Sequence, residues 1–238
     1  MSWPGKASLL RVGWFLAAVF GMGIASGQQL GFGMKVGVLV SEPFATASIS
    51  TVHQDLNFAR SAQYVPSNHR LTLGPMVEVR LPRSFAVEVS ALYRRIKYMS
   101  ATRVSEITPS EVLPFDMKFQ AETQARDLDI PILMKYRFSA RSVRPFIGVG
   151  GAARWVFDVK SRLVNASGPS PLLSQPFGLN QRWSGGYVVA AGLEWRLSAA
   201  RIAPELRYFR WASPSFQDAD GQWLSPANQL DLLLSVGF

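Results

Sequence analysis

Residues 229–238, QLDLLLSVGF, close the chain. Counting back from Phe238, every second residue is apolar: Val236, Leu234, Leu232 and Leu230. The residues between are Gly237, Ser235, Leu233, Asp231 and Gln229. Successive side chains of a strand point to opposite faces, so this pattern puts an apolar row on one face. Such a row needs an apolar medium, which is either the protein's own core or a lipid bilayer. The rest of the chain decides between them.

Seven further stretches show the same alternation. They are residues 30–40, 70–81, 84–97, 120–138, 145–158, 183–197 and 201–211. No amphipathic helix of useful length competes with them. Long connections follow the first, third, fifth and seventh stretches (41–69, 98–119, 159–182 and 212–228). Short ones follow the second, fourth and sixth. Short turns at one end and long loops at the other are the pattern of an up-and-down transmembrane barrel. An even strand number puts both ends of the barrel chain at the short-turn side.

One parity of the eight stretches carries no charge. It reads Leu30 to Val40, Leu71 to Leu81, Phe85 to Tyr93, Leu128 to Phe138, Ile147 to Phe157, Tyr187 to Leu197, Ile202 to Tyr208 and Leu230 to Phe238, each in steps of two. The other parity carries acids (Glu78, Glu88, Asp127, Asp129, Asp158, Glu194, Glu205, Asp231) and bases (Lys35, Arg70, Arg80, Arg94, Lys135, Arg137, Arg154, Arg196, Arg207). Eight strands enclose a lumen just wide enough to be filled by side chains or one small ligand. A soluble barrel would keep the apolar row inside and its charges outside. A charge-free outer row with near-balanced charges inside fits the reverse arrangement, in which the apolar row faces lipid. The fold class expected is therefore all-β: an eight-stranded antiparallel up-and-down transmembrane β-barrel with short periplasmic turns and long extracellular loops. Aromatic residues support it. With alternate strands running up and down, Phe85, Tyr136, Phe138, Trp195 and Phe238 gather at the short-turn rim. Tyr93, Trp155, Phe157, Tyr187 and Tyr208 gather at the long-loop rim. These are the two interfacial girdles of a membrane barrel.

The first residues read as an export signal. Lys6 and Arg11 precede or flank the apolar stretch VGWFLAAVFGMGI (12–24), and small residues follow it. Residues 1–27 are expected to be removed, leaving 28–238 as the barrel domain. The segment holds two bases and no acid, so the net charge of +9 becomes 9 − 2 = +7. The bases are scattered along the chain without a Lys/Arg-rich run, so no nucleic-acid partner is expected. With no cysteine, disulfides, thiol catalysis and cysteine-based zinc sites are excluded.

The stretches LDIPILMKYRF (128–138), PFIGVGGAARW (145–155), AGLEWRL (191–197), PELRYFRW (204–211) and LLLSVGF (232–238) resemble the small outer-membrane β-barrel proteins, the eight-stranded OmpA/OmpX-like group and its wider outer-membrane β-barrel relatives. The resemblance spans essentially the whole of 28–238. It implies an outer-membrane location in a Gram-negative-type cell envelope. It also implies that Phe238, Val236, Leu234 and Leu232 form a terminal-strand signal for the barrel-assembly machinery.

The inner charges are expected to form a salt-bridged lumen network of Glu78, Arg80, Glu88, Arg94, Asp129, Lys135, Arg137, Arg154, Glu194, Arg196, Glu205, Arg207 and Asp231. Unpaired charges there would be costly. Continuing the outward parity past the long-loop girdle meets Arg95, Lys97, Arg126 and Arg210, with Glu122 as the one nearby acid. These are candidates for lipopolysaccharide contact, because guanidinium and ammonium groups pair well with phosphate. The function expected is a structural or surface-interaction role, with a plugged lumen and loops for binding. A lipid A-modifying acyltransferase or deacylase is the alternative. His53, His69 and Asp55 are its candidate residues, and these with Glu42 are the weak metal candidates. A narrow solute channel and a soluble periplasmic carrier come after it. No catalysis, cofactor or metal is expected. The partners expected are outer-membrane lipid, lipopolysaccharide and the assembly machinery, for a monomer.

Overall fold

The structure, a computed structural model, describes residues 29–41, 47–53, 58–66, 70–106, 116–139, 142–167, 178–197, 200–217 and 224–238. The expected signal segment lies outside them. The described residues form eleven strands and no helix: β1 (Gln29–Leu39), β2 (Ala47–His53), β3 (Phe58–Pro66), β4 (Leu71–Arg80), β5 (Phe85–Ser90), β6 (Leu92–Glu106), β7 (Asp116–Arg137), β8 (Val143–Ser167), β9 (Trp183–Leu197), β10 (Ala200–Trp211) and β11 (Asn228–Gly237).

Eight antiparallel staves close a ring. β1 is the closing stave: Met34 lies opposite Val236 of β11 on one side and Pro75 of β4 on the other. β5 and β6 form a single stave, interrupted at Ala91 while both segments keep the same register against β4 and β7. The interruption has a local cause. Ala91 donates its N–H to Pro75 O (3.0 Å), but Pro75 has no N–H to return. The Ala91 carbonyl instead turns towards Gly74, where an added Cβ would lie 1.7 Å from its oxygen. The stave then continues to β7, β8, β9, β10 and β11.

The eight stretches read from the sequence are the eight staves. At the short-turn end, Arg83 (φ 63°) and Ser84 (φ 67°) are both left-handed, as a tight hairpin turn between twisted strands requires. At the other end the sequence reading falls short. β6, β7 and β8 run on to Glu106, from Asp116 and to Ser167, so the second and third loops are much shorter than 98–119 and 159–182. The first long connection is not all loop. It contains the β2–β3 hairpin, and β3 pairs with β6 from Phe58↔Glu106 to Pro66↔Tyr98.

The ring is inside-out. Phe32, Ile132, Val149 and Leu232 are each about half or more exposed (57, 53, 61 and 48%), whereas Lys35, Glu88, Asp129, Glu205 and Arg207 are at most 1% exposed. A continuous apolar belt of this extent marks a surface made for lipid or a partner, and here it encircles a closed barrel. Aromatic rings bound it. Phe85, Tyr136 and Phe138 pack at the short-turn rim with centroids 5.1 Å apart along the chain of contacts. At the other rim Trp155 stacks on Phe157 (4.9 Å) and on Trp183 (5.7 Å), and Tyr93 approaches Phe157 (6.5 Å). The fold is thus an eight-stranded antiparallel transmembrane β-barrel.

Beyond this second girdle the polarity inverts. In β3, β6, β7 and β8 the inward residues are now uncharged, most of them apolar (Ala62, Tyr64, Ile96, Tyr98, Ala125, Val156) with Ser100, Thr102 and Thr123 among them. The outward ones are Arg95, Lys97, Arg103, Lys118, Gln120, Glu122, Gln124 and Arg126. Within one strand the side-chain rule is unchanged, and only the medium on each side differs. The switch between Tyr93 and Arg95 marks the level at which the barrel leaves hydrocarbon.

Candidate functional site: the charged lumen and the sheet above it

Three layers of charge fill the lumen. In the lowest, Arg137 binds Glu194 through Nε (2.9 Å) and also pairs with Glu78, and Arg201 reaches Glu78 (3.1 Å). Arg80 and Arg196 sit at this rim, 3.6 Å from Glu78 and 3.9 Å from Glu194, with partly exposed side chains. In the middle layer Lys35 contacts Glu205 (2.7 Å), Glu88 (3.1 Å) and Ser235 Oγ (2.8 Å). Lys135 spans the same two carboxylates (2.6 Å to Glu88, 3.1 Å to Glu205). Arg207 donates to Glu205 (2.6 Å from Nε), Glu88 (3.0 Å) and Ser90 (3.2 Å). In the upper layer Asp129 accepts from Arg154 (2.7 and 3.0 Å) and Arg94 (2.9 Å). Asp231 lies 3.6 Å from Arg94, and Asp127 lies 3.9 Å from Arg94 and 3.6 Å from Arg154. Gln229 ties the layer together through Asp231 and Arg154, and Arg154 stacks on Trp211 (4.1 Å).

The layers balance as a set. Arg137 and Arg201 face Glu78 and Glu194. The middle layer carries three bases against two acids, and the upper one two bases against three acids. Lys35, Asp127 and Arg201 are full members that the expected thirteen-residue network omits. Asp158 is a correction to the inward parity. A bulge in β8 sets Asp158 and Val159 against the single residue Ala125, between Arg126↔Phe157 and Gln124↔Lys160. Asp158 takes φ 48° there and turns outward to Arg126 (3.2 Å) and Lys160 (3.0 Å). Strict alternation in WVFDVK gives no sign of the extra residue.

Above the charges an apolar plug closes the long-loop end. Tyr98 packs edge-on against Phe216 (5.8 Å) and near Tyr64 (6.4 Å), with Ile96, Val156 and Leu224 around them. Phe216 is held by a β-bridge to Leu179. Two lumen cavities, below the plug and at the lower layer, each have a volume of about 20 Å³, roughly that of one water molecule. Tyr64 and Phe216, aromatic residues of the stretches 41–69 and 212–228 read as long connections, therefore serve the plug. Phe44, Phe115, Phe177 and Trp223 lie outside the described residues, as do Glu42, Asp55 and His69. Of His53 only its place at the end of β2 is described.

Outside the girdle, β2, β3, β6, β7 and β8 form one continuous sheet. From Tyr93 to Glu106, β6 runs roughly 40 Å at about 3.3 Å per residue. Its tip is pinned by Arg103, which holds Asp116 in a two-pronged pair (3.0 and 3.1 Å). The hydrogen bonds from Arg103 keep the Asp116 carboxyl below its usual range. The last β8–β9 register pair is Trp155↔Trp183, so past Val156 this margin of β8 pairs with no described strand. The opposite margin is β2, which among the described strands pairs with β3 alone.

The four outward bases are not one group. Arg95 and Arg126 are directly opposite across β6 and β7. Lys97 sits beside them, paired with Glu122 (2.8 Å). Arg210 is elsewhere, on β10, donating to Asn228 (2.7 Å). In the terminal strand, Val236, Leu234 and Leu232 face outward opposite Met34, Val36 and Val38. Phe238 donates its N–H to Phe32 O (2.9 Å) and is 70% exposed.

No family model and no curated protein sequence matches the chain. Solved structures do. Outer membrane protein OprG from Pseudomonas aeruginosa aligns over 89% of this chain and 95% of its own, with 12% identity and a TM-score of 0.46. Neisserial surface protein A aligns over 89% and 98%, with 10% identity and a TM-score of 0.38. The outer membrane enzyme PagL aligns over 87% and 98%, with 10% identity and a TM-score of 0.31. At this level the likeness carries nothing about activity or ligand.

Proposed function

We propose that the protein is an integral outer-membrane barrel whose role is surface interaction, without catalysis, and that its binding element is the open sheet beyond the girdle. The observation that carries this is the β2 margin. Exposed strand edges are normally guarded by charges, prolines or bulges, because their free backbone groups recruit another strand. The β2 sequence ASISTVH has no proline and no Lys, Arg, Asp or Glu, and Val52 on it is 57% exposed. Strand addition by an extended segment of another protein is the recognition mode that such an edge serves. The packed lumen favours a rigid support over a solute path. The barrel is exported with its first residues removed and acts as a monomer. It is inserted with the assembly machinery reading Phe238, Val236, Leu234 and Leu232, and its long-loop end lies outside the cell.

Cells displaying the protein are expected to adhere to a panel of immobilised matrix and serum proteins. The edge-charged variant Ser50→Lys with Val52→Lys should lose most of that adhesion while remaining folded. Adhesion that the double variant leaves unchanged would remove β2 as the binding element.

A further inference from the structure

The inversion level between Tyr93 and Arg95 holds an arrangement that sheet stability alone does not favour. Arg95 and Arg126 are cross-strand neighbours on the outward face, and like charges directly opposite one another destabilise a sheet. Lys97, Lys160 and Arg162 flank them, Arg162 directly opposite Glu122, so five bases share the patch with two acids, Glu122 and Asp158. Glu122 is committed to Lys97, and Asp158 to Arg126 and Lys160. Among the described residues, the recorded side-chain partner of Arg95 is the Tyr93 hydroxyl (3.3 Å), which neutralises nothing. The side chains border a groove of about 230 Å³. The β8 bulge shapes it. By placing Asp158 in a left-handed conformation rare for residues other than glycine, it brings both Asp158 and Lys160 to the outward face beside Arg126. Directly below lie Tyr93, Phe157, Trp155 and Trp183 of the girdle.

We infer that this groove binds the phosphate of an outer-leaflet glycolipid, with Arg95 and Arg126 as its principal donors and the acyl chains lying down the Tyr93–Trp155 belt. The chemistry follows from the placement. Two facing guanidinium groups offer forked donors to one phosphate, and its negative charge removes the repulsion between them. The surplus of bases over acids in the patch favours a doubly charged phosphate monoester. The height is that of a headgroup, because the nearest outward neighbours below are interfacial aromatic side chains. Arg210, on β10, has no such partner opposite it and is not part of the site. This inference rests on the membrane reading of the apolar belt and is independent of strand addition at β2.

The test uses the full barrel in detergent micelles, titrated with lipid A, with dephosphorylated lipid A and with inorganic phosphate. Binding is read by native mass spectrometry, and folding by heat-modifiable gel migration. Arg95→Gln is expected to weaken lipid A binding about tenfold, equivalent to roughly 1.4 kcal/mol. Arg210→Gln should leave it unchanged. Arg95→Gln should also leave lipid-free stability equal or higher, since it relieves repulsion and breaks no ion pair. A purely structural role for Arg95 predicts the opposite. Equal binding of dephosphorylated lipid A, equal loss in Arg210→Gln, or no loss in Arg95→Gln would overturn the site. Displacement of lipid A by millimolar inorganic phosphate, with phosphate itself retained, would overturn the glycolipid as its occupant in favour of free phosphate. A chain that never enters micelles as a heat-modifiable barrel would instead fail the membrane reading, which is a separate result.

Discussion

Glu205→Gln is expected to destabilise the barrel by about 3–5 kcal/mol, the usual cost of breaking a buried ion pair from one side. The middle layer holds Lys35, Lys135 and Arg207 around Glu88 and Glu205. Removing the Glu205 charge leaves three cations on one carboxylate, in a part of the lumen where each of these side chains is at most 5% exposed. The isosteric amide opens no cavity, so the loss reports charge and not packing. Two companions make the account quantitative. Arg207→Met leaves two bases on two acids and should cost less than Glu205→Gln, despite removing a larger hydrogen-bonding group. Combining Glu205→Gln with Arg207→Met restores the original excess of one base and should recover at least half of the loss. Urea titrations of the barrel refolded into lipid bilayers would give the three values. A milder effect of Glu205→Gln than of Arg207→Met would show that the charge excess of the middle layer does not govern its stability.

The second large effect is expected at a residue with no side chain. Gly74 faces inward on β4, where β5 passes into β6. Gly74→Ala would place its Cβ 1.7 Å from the Ala91 carbonyl oxygen and 2.7 Å from the carbonyl carbon. Both are backbone atoms, so no rotamer relieves the contact. Pro75 cannot donate the hydrogen bond that would hold that carbonyl in the ladder, so the two residues act together: proline frees the carbonyl and glycine leaves it room. We expect a loss of about 3 kcal/mol or more, the upper range for overpacking, read in the same urea titration or as failure to refold. Gly185 is the control, since nothing lies within 4 Å of an added Cβ there. Gly185→Ala should be nearly neutral.

The membrane part of the fold was legible because hydrocarbon imposes a strict rule on every second residue. The terminal strand shows it alone, and the charges of Glu88, Lys135, Glu205 and Arg207 mark the other face. Most of the lumen layers were legible for the same reason: a charge on the inner parity has nowhere to go except to another charge. Above the girdle the rule weakens. In β7 from Lys118 to Gln124 the alternation persists, but with uncharged residues (Phe119, Ala121, Thr123) inside and the charged and amide ones outside. A search for an uncharged outer row therefore stops too early. The β2–β3 hairpin was hidden because its strands, ASISTVH and FARSAQYVP, have little contrast between faces. Of its described inward side chains, Ala62 and Tyr64 are the buried apolar ones. Asp158 was misplaced because one bulge residue shifts the parity of everything after it. The grouping of Arg95 with Arg126, and the separation of Arg210, needed the register between strands, which a single strand's pattern does not contain.

The central claim is that the apolar row faces lipid and the charges pair inside. The measurement that tests it most directly is gel migration of the membrane-fractionated protein, with and without boiling. The account predicts that the protein sediments with the outer membrane, and that the unboiled barrel migrates apart from the boiled chain because the hydrogen-bonded ring survives in detergent. Recovery as a freely soluble periplasmic protein, with one mobility under both conditions, would contradict it and would put the two faces of every stave the other way round.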